Sequence, residues 1–297
     1  MLKSRLLAAV GIVAVVVGVL SAQTPASPAF EVASIKPDAS ASLTRGFSMP
    51  ADRLEATNLP LTRLVADAYG EGGPPIQPLL SEQVAGGQGW MNDDGFDIVA
   101  KAGADVPVGA AGNAQKLLML RTLLAERFKL AVHHETRTGN IYVLTRARAD
   151  GRLGPKLTRT DVDCAAEAAA RGGAVPPLPV PGAIPRCNPQ IGLGPVSVLR
   201  AGGQIMPLLA KLFGRLTSRI VVDRTGLTGA FNVDMRFTAE GLPGSGPSAL
   251  PPPTPPADSD VPSFFTAVQE QLGLKLDAQR GPMDVIVIDH VEHPIEN

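Results

Sequence analysis

Phe128-Lys129-Leu130-Ala131-Val132 and Leu272-Gly273-Leu274-Lys275-Leu276 decide the fold, because they are one passage met twice. Residues 118–146 lie over 262–290 at a constant offset of 144 positions with no gap. Phe128, Leu130 and Val132 then fall on Leu272, Leu274 and Leu276, and Ile141-Tyr142-Val143-Leu144 on Val285-Ile286-Val287-Ile288. Identities are few (Thr122/Thr266, Glu126/Glu270, Leu130/Leu274, Val143/Val287), so the pattern carries the comparison. Leu117, Leu120, Leu124 and Phe128 recur at helical spacing, as do Phe264, Val268 and Leu272. Pro262-Ser263 suits a helix start and Gly273 its stop. Next, Leu274, Leu276 and Ala278 alternate with Lys275 and Asp277, the period of a half-buried strand. Arg280-Gly281-Pro282 reads as a turn, and Val285 to Ile288 as an apolar returning strand in mid-sheet, with Val287 buried. The passage predicts a helix running into a β-hairpin, twice.

The flanks repeat more loosely. Arg53-Leu54-Glu55-Ala56 is a strand candidate, followed by a helix on Leu61, Leu64, Val65 and Ala68 with Gly70 as its stop. The later counterpart is Val196 to Arg200, then a helix carrying Leu208, Leu209, Leu212 and Phe213. Phe96, Ile98 and Ala100 alternate inward in one strand, and Phe231, Val233, Met235 and Phe237 in another. A short apolar stretch, Ile220-Val221-Val222, belongs to the later half. The fold class is α+β: two tandem diverged β-α-β-α-β-β units, each a small mixed sheet with helices on one face. The units span 30–150 and 191–297, with a Pro/Gly-rich connector at 151–190. Gly70 to Gly89 and the Pro-rich 241–260 read as loops.

Composition narrows the function classes. Hydrophobic residues are 44% but aromatics only 4%, so the core is aliphatic. Lys plus Arg is 27 against 28 Asp plus Glu, with no basic stripe, which argues against a nucleic-acid partner. Lys3 and Arg5, the apolar run Leu6 to Leu20, and Ser21-Ala22 read as a signal peptide over 1–22. The run is short of the ~20 residues of a membrane span, so cleavage is preferred to an uncleaved anchor. The expectation is a periplasmic or secreted protein with no membrane span after cleavage. There, Cys164 and Cys187, 23 positions apart and the only cysteines, read as one disulfide, with free thiols the alternative.

Residues suited to chemistry do not converge in the sequence. His133-His134-Glu135 lies on a strand, where neighbours point to opposite faces and cannot share a metal without a bulge. His290 and His293 sit near the end beside Asp289 and Glu292, as on a solvated tail. Gly244-Ser245-Gly246 lacks the strand–turn–helix setting of a serine nucleophile. Asp93-Asp94, Asp258 and Asp260 suit turns and caps. No phosphate loop or dinucleotide fingerprint occurs. No catalytic, metal-ligating or cofactor-binding residue is assigned. Asp223-Arg224-Thr225-Gly226 has two readings: a recognition loop presenting Arg224, or an Asp-initiated turn with Gly226 at positive φ. Trp90, the only Trp, is either a core-edge residue or an exposed anchor.

Four motifs suggest a relationship: Phe30-Glu31-Val32-Ala33-Ser34-Ile35-Lys36-Pro37; Leu123-Leu124-Ala125-Glu126-Arg127-Phe128-Lys129-Leu130; Val221-Val222-Asp223-Arg224-Thr225-Gly226-Leu227-Thr228-Gly229; and Val287-Ile288-Asp289-His290-Val291-Glu292. In this order they resemble the soil-associated bacterial family defined by domain of unknown function 3738. The resemblance implies no established activity. Some members of that family look like the extracytoplasmic part of membrane metallopeptidases, but this chain has no His-Glu-x-x-His, so that activity is not carried over. The second half also resembles, faintly, the short N-terminal domain of secretins and TonB-dependent receptors, which implies an interaction module. The expectation is an exported, non-catalytic binding module with a protein or envelope partner. The alternatives are an extracytoplasmic hydrolase or metal-dependent enzyme, and a sensor domain working with a membrane peptidase.

Overall fold

The computed structural model describes residues 27–38, 44–70, 77–171, 180, 182–192, 194–243 and 261–294. The elements run β1 (Val32–Pro37), β2 (Gly46–Ser48), β3 (Arg53–Pro60), α1 (Leu61–Ala68), β4 (Val84–Gly86), α2 (Trp90–Asp93), β5 (Gly95–Lys101), α3 (Ala110–Arg127) and β6 (Ala131–Arg146). They continue with β7 (Leu157–Thr160), α4 (Cys164–Ala170), β8 (Gln190–Gly192), β9 (Ser197–Ile205), α5 (Met206–Thr217), β10 (Val221–Asp223), β11 (Ala230–Phe237), α6 (Phe264–Leu272) and β12 (Leu274–His290). The class is α+β.

Local chemistry explains these elements. Ser263 caps α6 by accepting the Thr266 N–H at 3.4 Å, and Gly273 ends it at φ 70°. Phe231, Val233, Met235 and Phe237 alternate inward along β11, all fully buried. Two sheets share one plan, β1-β5-β3-β2 and β7-β11-β9-β8, with antiparallel neighbours throughout. α1 and α3 pack on the first sheet around Leu64, Phe96 and Leu120; α5 and α6 pack on the second around Phe213, Phe237 and Phe264. We refer to these as the first and second lobes.

The third sheet corrects the expected hairpins. Residues 131–146 and 274–290 do not fold back on themselves; each is one long strand, and they pair antiparallel with each other from Leu274↔Arg146 to Val287↔His133. Arg280-Gly281-Pro282 runs straight through, opposite Asn140-Gly139-Thr138. The physical reason is local: a residue before proline is pushed out of the helical region towards extended backbone, so Gly281-Pro282 prolongs the strand. Consequently the expected β-α-β-α-β-β order is not what forms. β12 begins in the second lobe and ends in the first, where Ile286, Ile288 and Val291 join the core of Phe96, Leu120 and Phe128. β6 runs the other way and delivers Leu144 to the second core. β4 adds in parallel to β12 at Ile286–Ile288, and β10 in parallel to β6 at Tyr142–Leu144.

Three further readings need adjustment. Val287 is only half-buried; Val285, Ile286 and Ile288 are the buried members of the run. The stretch Gly70 to Gly89 contains β4, and the connector 151–190 contains α4 and the edge strand β7. The leader-like residues 1–22 and most of the Pro-rich loop, with Ser245, Asp258 and Asp260, lie outside the described residues.

Two charged side chains are buried beside the first sheet. Lys116 reaches the backbone carbonyls of Met49 (3.3 Å) and Pro50, and burial lowers its pKa against the opposing pull of Asp52. On α1, Asp67 accepts from Arg63 at 2.9 Å, yet burial raises its carboxyl pKa, with Arg63 opposing. A carboxyl whose folded pKa lies above its unfolded one loses stability as pH climbs from the unfolded to the folded value. Asp67→Asn keeps an acceptor for Arg63 without the charge. It is therefore expected to melt a few degrees higher than the parent at pH 7. That gain should vanish as acid protonates Asp67, as melts from pH 7 down to pH 3 would show.

Candidate binding clefts along helix α5

Pro207 sits in the first turn of α5, where its missing N–H costs nothing, and Ser218 closes the helix at φ 50°. Met206, Leu209, Ala210, Phe213 and Thr217 face the core. Beside that face run two rows at the four-residue spacing that stacks side chains on one helix face, and Leu212 and Leu216 of the first row also touch the core. One row is Leu208, Leu212 and Leu216; the other is Lys211, Arg215 and, just past the helix, Arg219. No acid occurs in the helix. Leu208 is 36% exposed and Ile205, just before the helix, 45%.

A cleft lies on each side of these rows. The first, about 480 Å³, opens between the lobes. Lys211, Arg215 and Arg219 form one wall, Tyr69, Pro78 and Leu79 the other, and His134, Met283 and Ile286 of the crossed strands the floor. Arg121 stacks over Tyr69 at 4.6 Å and donates to the Ala68 carbonyl at 2.8 Å, while Arg219 stacks over Tyr142 at 5.2 Å. Burial raises the Tyr69 phenol pKa, with Arg121 opposing, so Tyr69 presents a protonated hydroxyl at neutral pH. Asp284 is the carboxylate among the cleft's described residues, and it accepts from the Thr136 hydroxyl at 3.1 Å.

The second cleft, about 670 Å³, lies between α5 and α4. Leu208, Leu212, Leu216, Ile191, Ala165 and Ala168 line it, with the disulfide at its side and no carboxylate among its described residues. Arg171 also lines it, but pairs with Glu167 at 3.6 Å, and Glu167 is gripped as well by Arg186 at 2.6 Å. Arg215 and Gln77 border both clefts. The Arg215 guanidinium makes no ion pair or hydrogen bond with any described residue. Sequence reading named Leu208, Leu209, Leu212 and Phe213 together as the apolar residues of one helix, without separating the exposed Leu208 from the buried Leu209 and Phe213. The signal available was the basic row at Lys211, Arg215 and Arg219.

The cysteines do join, with Cα atoms 5.2 Å apart. The bridge fastens the connector onto β9: Cys164 lies against the Gly203 carbonyl, and the Cys187 N–H bonds the Gly202 carbonyl at 2.9 Å. A side chain at Gly203, whose φ is 72°, would strike Cys164 Sγ. Closing a loop of this length is worth roughly 3 kcal/mol in the chain-entropy model. Replacing both cysteines by Ser is expected to lower stability by about that amount in denaturant melts, and free-thiol titration of the parent should find none.

The other singled-out residues are spread out. His133 and His134 do face apart: His133 Nδ1 lies 2.9 Å from both Asp289 oxygens, whereas His134 meets Tyr69 edge-on in the interlobe cleft. His290 contacts Glu292 at 2.8 Å, and His293 stacks on Trp90 at 3.8 Å, with Asp94 3.8 Å from its Nε2. Among the described residues no group of three or more His, Cys, Asp or Glu is placed to hold a metal ion. Asp223 accepts from the Thr225 N–H at 2.9 Å and its hydroxyl at 2.8 Å, and Gly226 takes φ 67°. This is the Asp-initiated turn; Thr225 is buried, and Arg224 is exposed but lines neither cleft. No helix among the described residues is long and apolar enough to cross a membrane.

No curated protein and no solved structure matches this chain. Residues 64–291 match the family described as "Protein of unknown function (DUF3738)". The match spans well over half of the chain, which therefore belongs to the DUF3738 family.

Proposed function

We propose that this protein is an exported, non-catalytic binding module of the cell envelope whose ligand lies in the clefts along α5. The observation that carries the reading is Arg215, a cation with no partner among the described residues, at the junction of two concave surfaces beside the cleft-lining Leu208, Leu212 and Leu216. Ligand sites are concave and mostly apolar, with a few placed polar groups that fix orientation, and this surface has that make-up. The leader-like N-terminus and the disulfide support the extracytoplasmic part of the reading. A photo-crosslinking residue at position 212 tests it in an envelope fraction. An adduct that disappears in Arg215→Glu supports the cleft as the binding seat. No adduct at 212, or an equal one in the variant, rejects it. A hydrolase screen on the same purified protein separates this reading from the enzymatic one.

A further inference from the structure

Resting on that reading, we infer that the ligand is a single-chain anionic amphiphile, with its apolar chain along Leu208, Leu212 and Leu216 and its anionic group on Arg215. The second cleft supplies the apolar part. At about 670 Å³ it lies within the size range of small-molecule sites, and burying a hydrocarbon chain there would remove apolar surface from water on both partners. It is concave and backed by α4 and the disulfide, so it suits one inserted chain better than a flat membrane surface.

Charge selects the head. Arg215 stands where the apolar cleft meets the interlobe cleft, and no described residue supplies it with an acceptor. A guanidinium offers paired donors that match carboxylate or phosphate oxygens, which is the chemistry such an unpaired fork recruits. Arg219, four residues further on, adds positive field along the same rim. Asp284, the carboxylate among the described residues of the interlobe cleft, already accepts from Thr136. A neutral or cationic amphiphile would leave Arg215 unmatched or opposed.

Titration calorimetry of the purified mature protein tests this, with ligands held below their micelle concentrations. The probes are an eighteen-carbon fatty acid, its methyl ester and inorganic phosphate. The acid is expected to bind, the ester about tenfold or more weakly, and phosphate not measurably, since one charge-assisted contact and the chain are both required. Arg215→Glu and Leu208→Asp, both at exposed positions, should each weaken the acid about tenfold or more while melting like the parent. Vesicles with and without phosphatidylglycerol separate a headgroup read in a bilayer from a free amphiphile; binding only to the anionic vesicles would overturn the single-chain assignment. Equal binding of acid and ester, or unchanged binding by both variants, overturns it as well. A crosslink at position 212 without any fatty-acid binding would remove this ligand class and leave the cleft reading standing. Loss of both would remove both.

Discussion

Ile288→Asp is expected to unfold the first lobe, although residue 288 lies in the last strand of the chain. Ile288 is 6% exposed and packs with Phe96, Leu120 and Phe128, not with the helix that precedes its own strand. A carboxylate there would enter an apolar core with no partner in the cluster around it. It would either stay neutral through a raised pKa or open its surroundings, at several kcal/mol. Since a native domain holds only about 5–15 kcal/mol in hand, that loss is crippling. Trp90 makes the outcome readable, because this single Trp sits in the first lobe, edge-on to Phe96 at 6.2 Å. Its fluorescence should report a transition many degrees below that of the parent. Val287→Asp, at the half-buried neighbouring position, should cost less. If Trp90 melts normally in Ile288→Asp, the crossing of the strands is refuted.

Gly273→Val should damage the second lobe to a similar degree. Gly273 turns the chain out of α6 at φ 70°, a region closed to β-branched residues. Room is lacking too, since a Cβ there would lie 2.5 Å from the Gly154 nitrogen and 3.0 Å from the Arg152 carbonyl oxygen. Those neighbours are backbone and cannot rotate away. They are also held: the Gly154 N–H bonds the Leu272 carbonyl at 2.9 Å, and the Ala147 N–H bonds the Gly273 carbonyl at 2.9 Å. The expected cost is several kcal/mol, more than for Gly273→Ala, and urea melts of the two variants would rank them. Equal stability of Gly273→Val and the parent would contradict the backbone path described.

How much could be read beforehand depended on whether the deciding contact was local. The cap at Ser263, the stop at Gly273 and the alternation of Phe231 to Phe237 are local, and each was legible. So was the disulfide, because the two cysteines of the sequence sit in one connector and have only each other to pair with. The hairpins were not legible: Leu274 to Ile288 has the same apolar pattern whether it doubles back or runs on. Only Gly281-Pro282 distinguishes the two, through the backbone bias of a pre-proline residue. β7 escaped notice because Leu157 is the one buried residue of its four. The α5 surface was hidden for a related reason, since a helix with leucines on two sides reads as a core helix until its neighbours are known.

The crossed strands also set a timetable. β6 and β12 meet only when residues 131–146 find 274–290, and the first core is complete only with Ile286, Ile288 and Val291 in place. A ribosome or an export channel delivers the chain from its N-terminus, so Phe128, Leu130 and the sheet beneath them wait, partly uncovered, until residues 286–291 have emerged. Contacts this distant in sequence slow folding, and a half-covered core during the wait is open to wrong partners. Neither lobe then has a folded life of its own, and refolding should follow one slow, concerted phase instead of two independent ones.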